Sequence, residues 1–417
     1  MPPLSAWNCT KTDPPLRPLH GAFDMRRSTL ELDPSVALSA WSETTAANAD
    51  PWTHYVCKLV TPLYGGGVRA AEVDTGMPIR AASIRGQLRF WWRIVAGPFA
   101  SPEAMFQREA AIWGGIAASG PSASRVAARV KAKPVQAMHL SAKSQFAGLP
   151  AYGLILDPGA DPILLKSGYS FELSVRCASD LTSQQYDEVQ TALRWWASFG
   201  GVGARTRRGF GAVQVGMLKP VTPEEVAQCG GRLCVAPSGS NEIDAWETSV
   251  KKLQRFRQGP NLGRNPGQGN RPGRSRWPEP DTIRRQTRRH AKNHDPEHPV
   301  DGAYPRAWFG LPIIFHFKDA GEPNDSTLIP DGERDRMASP LILRPYWSGQ
   351  KWHPSALLLP GWERRTTELR VGFGNGPFRR AWPADPAERA RLAEQIKPMA
   401  GRGDDPLTAF MDYFEQD

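Results

Sequence analysis

Apolar and polar positions along the chain follow two different periods, and the switches between them mark out elements. Tyr55-Val56-Cys57-Lys58-Leu59-Val60 is short and mostly apolar, which predicts a buried strand ending at Thr61-Pro62 and the turn Gly65-Gly66-Gly67. From Ser83 to Val95 the period lengthens: Ile84, Leu88, Trp91 and Val95 recur at helical spacing and make a face for the core. Ser101-Pro102-Glu103 offers an N-cap, a proline at the first helical position and a first-turn acid, so a second helix is expected from there to Trp113-Gly114-Gly115. Residues 126–135 and 171–177 read as strands, with 139–169 as a loop carrying short strands. Thr182-Ser183-Gln184-Gln185 fits a capping box, and the helix it opens sets Tyr186, Val189, Leu193 and Trp196 on one side. That helix runs into a glycine-rich loop, 200–211, and Ala212-Val213-Gln214-Val215 reads as a strand. With the short second helix set aside as an insertion, the order is strand, helix, strand, strand, helix, strand. This predicts an α+β, ferredoxin-like fold, an antiparallel sheet with helices on one face.

Residues 1–50, rich in proline, serine, alanine and charge, read as an irregular N-terminal extension. A break at Lys219-Pro220-Val221-Thr222-Pro223 closes a first domain over 51–218, and 219–417 reads as a second, more divergent α+β domain. Apolar structure resumes in it at 308–317, with strands expected at 341–344 and 356–359 and helices at 386–396 and 406–414. Its stretch 251–300 is basic and poor in hydrophobics. Thirteen Lys/Arg stand there against four Asp/Glu, so it carries nearly all of the chain's net charge of +10. The part dense in Gly, Pro, Asn and Arg, 259–280, is expected to be a mobile loop.

That charge favours a polyanionic partner. No uncharged apolar stretch is long enough to cross a membrane, and Met-Pro-Pro-Leu-Ser-Ala-Trp is no secretory signal. The five cysteines are scattered without zinc-ligand spacing, which fits reduced thiols in the cytoplasm. Two places concentrate chemistry. The loop Gly-Gly-Val-Gly-Ala-Arg-Thr-Arg-Arg-Gly-Phe-Gly sets Arg205, Arg207 and Arg208 among glycines that permit positive φ and close approach. Guanidinium forks and exposed N–H groups suit phosphate oxygens, and the Gly-Lys-Ser/Thr ending of a nucleotide-binding loop is missing, so RNA is favoured over ATP. On the first helix, Arg85, Arg89 and Arg93 recur every four residues beside the apolar face, with no acidic residue between Arg80 and Val95 to pair with them. The bland alternative for both is a solvated basic surface.

Thr61-Pro62-Leu63-Tyr64-Gly65-Gly66-Gly67, Pro78-Ile79-Arg80, Ser83-Ile84-Arg85-Gly86-Gln87-Leu88-Arg89-Phe90-Trp91-Trp92-Arg93 and the loop 200–211 together resemble the RAMP superfamily. Within it they resemble the family of the first-numbered subunit of the type III-B CRISPR–Cas (Cmr) effector complex. Phe309-Gly310-Leu311-Pro312, Arg336-Met337-Ala338-Ser339-Pro340-Leu341 and Asp405-Pro406-Leu407-Thr408-Ala409-Phe410 are similar to the C-terminal half of that subunit. The resemblance implies tandem ferredoxin-like domains and a non-catalytic RNA-binding subunit that holds the 3′ part of the CRISPR RNA, engages target RNA and contacts other RAMP subunits in antiviral defence. The residues matching its RNA-contacting motifs are Arg85, Arg89 and Arg93 with Gly201, Gly203, Arg205, Arg207, Arg208 and Phe210. Phe210 would stack on a splayed base. No cofactor is implied.

Two other chemistries are weighed. His54 and His139 could act as acid or base in metal-free cleavage of RNA at its own 2′-hydroxyl. His290, His294 and His298 stand four apart, but Pro296 would break a helix presenting them, which argues against a metal site. A protein-only scaffold is the remaining alternative.

Overall fold

The computed structural model describes residues 51–68, 71–117, 120–135, 138–139, 152, 163–269, 271–333, 335–373 and 376–416, with the side chains of 117, 138–139 and 163 excepted. The extension expected over 1–50 lies outside the described residues. Residues Trp52–Asp417 form one compact unit.

Its first sheet joins β1 (Thr53–Leu59), β2 (Val126–Lys131), β3 (Ser170–Cys177) and β4 (Val213–Val215) in the order β2-β3-β1-β4, all antiparallel. Alternation along β1 buries Tyr55, Cys57 and Leu59 and leaves His54, Val56 and Lys58 outside, as a half-covered antiparallel strand requires. Two helices cover the inner face: α1 (Ala81–Val95), which follows β1, and α3 (Ser183–Phe199), which follows β3. Between α1 and β2 lies the inserted α2 (Pro102–Trp113), capped by the Ser101 hydroxyl on the Ala104 N–H at 3.1 Å. The capping box at Thr182 forms with both of its hydrogen bonds. Strand order and helix placement are those of a ferredoxin-like fold, as the element order predicted. Trp91 of α1 packs 6.0 Å from Trp195 and 6.1 Å from Phe199 of α3. Truncating any one of these rings would cost about 3–5 kcal/mol.

After the short α4 (Pro223–Gln228), the pattern returns in β5 (Arg232–Val235), α5 (Glu242–Gln258), then, beyond a long excursion, β8 (Leu341–Trp347) and β9 (Trp352–Leu358). These strands pair in the order β5-β9-β8, the same relative order as the first three strands of the first sheet; among the described residues no fourth strand joins them. This sheet is a middle layer. Ile342, Tyr346 and Leu357 enter the core shared with α1 and α3, while Leu341, Leu343, Ala356 and Leu358 enter a second core. Burial on both faces explains the unbroken apolar run Leu341-Ile342-Leu343.

The excursion holds α6 (Glu279–Thr287), a 3-10 turn at Pro305–Phe309, and strands β6 (Ile313–Phe315) and β7 (Ser326–Pro330). After β9 come α7 (Trp362–Thr367), β10 (Arg370–Phe373), β11 (Arg379–Arg380), α8 (Pro386–Ala393) and α9 (Pro406–Gln416). Strands β6, β7, β10 and β11 make a third sheet in that order. The expected mobile loop at 259–280 is instead tied into this half. Arg264 bridges to Ser275, and Trp277 is buried with its Nε1 donating to the Arg257 carbonyl at 3.1 Å.

Candidate nucleic-acid interface

Each glycine of the loop 200–211 meets the chain itself. Gly203 (φ 82°) leaves no room for a Cβ, which would stand 2.6 Å from the Tyr64 carbonyl oxygen. At Gly209 (φ 81°) a Cβ would fall 2.4 Å from Trp246 Nε1. The glycines let the loop seat against the 61–65 segment and α5 rather than against a ligand. Hydrogen bonds complete the seat. Ala204 N–H donates to Tyr64 at 2.7 Å, Gly211 N–H to Pro62 at 2.8 Å, the Thr61 hydroxyl to Gly209 at 2.6 Å, and Trp246 Nε1 to Arg208 at 2.7 Å. From β8, the buried Arg344 gives Nη1 to the Gly200 carbonyl at 2.7 Å and Nη2 to Val213 at 3.1 Å, tying both ends of the loop to the middle sheet. Burial pulls its pKa down to about 9. Sequence reasoning missed Arg344; it lies 133 residues beyond the loop it holds, and its only signal is a charge inside an apolar strand.

The loop arginines divide. Arg205, in left-handed backbone (φ 60°), is exposed; its carbonyl accepts from the Arg208 N–H at 2.8 Å, and its side chain has no hydrogen-bond or ion-pair partner among the described residues. Arg207 turns inward, where it donates to the Ser339 carbonyl and its guanidinium lies 5.6 Å from the Phe90 ring of α1. Arg208 also turns inward, with weak contacts to the Arg207 carbonyl at 3.4 Å and to Leu341 at 3.5 Å. Burial first, and then neighbouring positive charge, pulls both pKa values down to about 10. Phe210 is fully buried, edge-on to Trp246 with ring centroids 4.7 Å apart. The expectation that Arg207 and Arg208 face an anion and that Phe210 stacks on a base therefore does not hold in this conformation. The loop is too tightly seated to present them.

On α1 the stripe also divides. Arg89 Nε donates to Glu109 Oε1 at 2.6 Å, and Arg93 grips the same carboxylate with Nε at 2.7 Å and Nη2 at 2.6 Å. Glu109, on α2, is 1% exposed. Burial pushes its carboxyl up, but the bonds and charges of Arg93 and Arg89 outweigh that and hold it below the usual range. The missing acid was absent only from the sequence window; α2 brings it in. Arg85 remains exposed and unpartnered among the described residues. Beside it, Gly86 is exposed, and a Cβ there would meet nothing within 4 Å.

The 5.6 Å stack of Arg207 on Phe90 lays the loop alongside α1. Exposed on the two elements are Arg85 and Gly86 of the helix and Gly203, Ala204 and Arg205 of the loop, with the exposed Gly66 of the 61–67 turn beside Gly203. Gly201, the other loop glycine of interest, is buried, with a Cβ position 2.7 Å from the Gly211 carbonyl oxygen. Free guanidinium groups beside bare backbone suit a phosphate chain.

Residues 56–214 match the family described as the RAMP superfamily. This part of the chain is a RAMP domain. It holds α1, the glycine-rich loop and the whole first sheet except the start of β1 and the end of β4. No curated protein matches the chain. Solved structures similar to it include Cmr1 from Pyrococcus furiosus in its apo form, at 15% identity and a TM-score of 0.43, covering 79% of this chain and 89% of that one. A chain of the type III-B Cmr-beta complex bound to cognate target RNA is similar at 10% identity and a TM-score of 0.40, covering 78% and 95%. A chain of a type IV-B CRISPR complex gives 16% and 0.28 over 41% and 93%.

The histidines lie on elements other than α1 and the glycine-rich loop. His54 lies on the outer side of β1, its Nδ1 3.2 Å from Glu172 Oε1 and 3.1 Å from Ser174 Oγ. His139 lies in the short strand Met138–His139, its side chain outside the described part. His294 pairs through Nδ1 with Glu322 at 2.6 Å, His290 with Asp295 at 3.1 Å, and His298 is buried against backbone at Val300 and Arg276. Among the described residues no three metal-ligating side chains converge, and no helix is long and apolar enough to cross a membrane.

Proposed function

We propose that the chain is a non-catalytic, RNA-binding subunit of a cytoplasmic type III-B CRISPR–Cas (Cmr) ribonucleoprotein, gripping the 3′ part of CRISPR RNA, target RNA or both through phosphates without reading bases. The observation that carries this is a pair of exposed guanidinium groups without side-chain partners among the described residues, Arg85 next to the exposed Gly86 on α1 and Arg205 near the exposed Gly203 in the loop. Gly86 adds support. A glycine inside a helix costs about 1 kcal/mol relative to alanine, and no neighbour within the chain demands one here. Close approach by an external backbone would account for it. The RAMP match and the resemblance of the α1 motif supply the complex as the setting.

The test is purified protein against labelled single-stranded RNAs of unrelated sequence in EDTA, read on one gel for shift and for cleavage. A salt-sensitive shift of similar strength for all sequences, with intact RNA, is expected. Discrete cleavage lost in His54→Ala would establish the endonuclease reading instead, and no shift at any salt would leave a protein-only scaffold.

A further inference from the structure

Successive side chains of a strand point to opposite faces of its sheet. In the first sheet Tyr55, Cys57, Val126, Leu173 and Val215 enter the core under α1 and α3. The alternate set makes an outer face on the far side of the sheet from those helices. Register fixes its layout. Arg129, Ser174 and His54 stand in one row across β2, β3 and β1, and Lys131, Glu172 and Val56 stand in the next. Arg176 lies beyond the first row, opposite Ala127, and Lys58 beyond the second, between Ser170 of β3 and Gln214 of β4. From Arg176 to Ser170 along β3 is about 20 Å. Four cations, Lys58, Arg129, Lys131 and Arg176, are exposed on this face. Its acid, Glu172, is engaged by His54 Nδ1 at 3.2 Å and by the Ser174 hydroxyl at 3.4 Å. Lys131 stands directly across from Glu172, yet among the described residues none of the four cations has an ion pair or a side-chain hydrogen bond. Arg129 and Arg176 gather instead on the ring of Trp52, 4.0 and 5.1 Å from its centroid.

Charge on an edge strand guards it against pairing with another chain, which would account for Arg129 and Lys131 on β2. It does not account for Lys58 and Arg176, which stand on the inner strands β1 and β3. A protein interface concentrates apolar residues and depletes charge at its centre. Here the charge is spread over the face, and Val56, 70% exposed, is the large hydrophobic side chain left open on it. Spaced cations with a ring at one end suit the phosphates and bases of a single strand. We infer that the outer face of the first sheet holds a second stretch of single-stranded RNA by its phosphates, through Lys58, Arg129, Lys131 and Arg176. The sheet itself separates this face from α1 and Arg85, so the two hold different stretches. The inference rests on the RNA-binding reading and extends it to a surface that the α1 and loop motifs do not include.

The test is a salt titration of binding to a labelled oligouridylate long enough to reach both faces, for the full chain and two double variants. Lys58→Ala/Lys131→Ala removes two exposed side chains that hold nothing else in the fold. Lys351→Ala/Lys397→Ala removes the same charge from exposed positions outside this sheet. The first variant should bind about tenfold more weakly and lower the slope of log K against log salt by about 1.4, as two lost phosphate contacts require. The second should bind as wild type does. Equal losses in the two variants would overturn the inference, since net charge alone would then explain them. Affinity and slope unchanged in Lys58→Ala/Lys131→Ala would also overturn it and leave the face to an acidic protein partner. Arg129→Lys, which keeps the charge, should retain most of the affinity, whereas Arg129→Glu should lose it by more than the alanine pair; equal binding by these two variants would count against the face. Failure of the RNA-binding reading is seen separately, as no binding by wild type at any salt. Failure of this inference alone appears as wild-type binding that falls in Arg85→Ala/Arg205→Ala and not in Lys58→Ala/Lys131→Ala.

Discussion

Single residues in this chain often carry a different role from the one their type suggests. Glu109 closes off two of the three arginines on α1. Glu109→Gln should destabilise the fold by about 1–3 kcal/mol, because Arg89 and Arg93, both partly exposed, lose their shared counter-charge. Denaturant titration checks this. The sign of the pH dependence follows from the same pair. The folded carboxyl titrates below its ordinary value of 4.5, so its stabilisation is full above that pH and is lost as pH falls through the lower folded pKa. Glu109→Gln should flatten stability against pH in that acid window and leave the neutral range parallel to wild type. Arg344 makes a comparable case for a buried cation. Arg344→Met strips the loop ends of their carbonyl bonds and should cost about 2–4 kcal/mol by denaturant titration, with Arg207→Ala costing less because Arg207 is partly exposed.

At the scale of elements, the glycines of α1 and of the loop are predicted to behave oppositely. Gly209→Ala puts a methyl into Trp246 and a positive-φ backbone, so it should lower the melting temperature by several degrees. Gly86→Ala fills open space in an exposed helix and should stabilise by about 0.5–1 kcal/mol while weakening RNA binding. A variant more stable and equally tight for RNA would remove the argument from Gly86. These contrasts also mark where the sequence was legible. Local signals carried through: the period of Ile84, Leu88 and Trp91, the cap at Ser101 and the capping box at Thr182 each depend on residues a few positions apart. Helix α5 was also written locally, in Trp246, Val250 and Leu253 and in Asn241, whose side chain accepts from Ile243 and Asp244 N–H at 2.9 and 3.0 Å. Its high charge hid that pattern. What no window could give was pairing across the fold: Glu109 with α1, Ser339 with Arg207, Arg344 with the loop. A basic stripe looks free until the element carrying its acid is placed.

Across the whole molecule, charge is distributed less freely than the net value suggests. In the basic stretch 251–300, Arg284 binds Asp281 and Glu322, Arg274 binds Asp281, and Arg276 donates to Asn261 and Asn265. Much of that positive charge holds this half together around α6 and is not a loose arm for polyanions. The middle sheet has a similar double duty. It completes the core under the RAMP helices and, through Arg344, fixes the loop whose outer edge stays open. On the proposed function, RNA contact falls on a small part of the basic surface, at Arg85 and Arg205. The measurement that tests this most directly is the salt dependence of single-stranded RNA binding by wild type and by the Arg85→Ala/Arg205→Ala double variant. Losing two phosphate contacts should weaken binding by about tenfold and reduce the slope of log K against log salt by about 1.4. An affinity and slope equal to wild type, in a double variant that melts as wild type does, would contradict it.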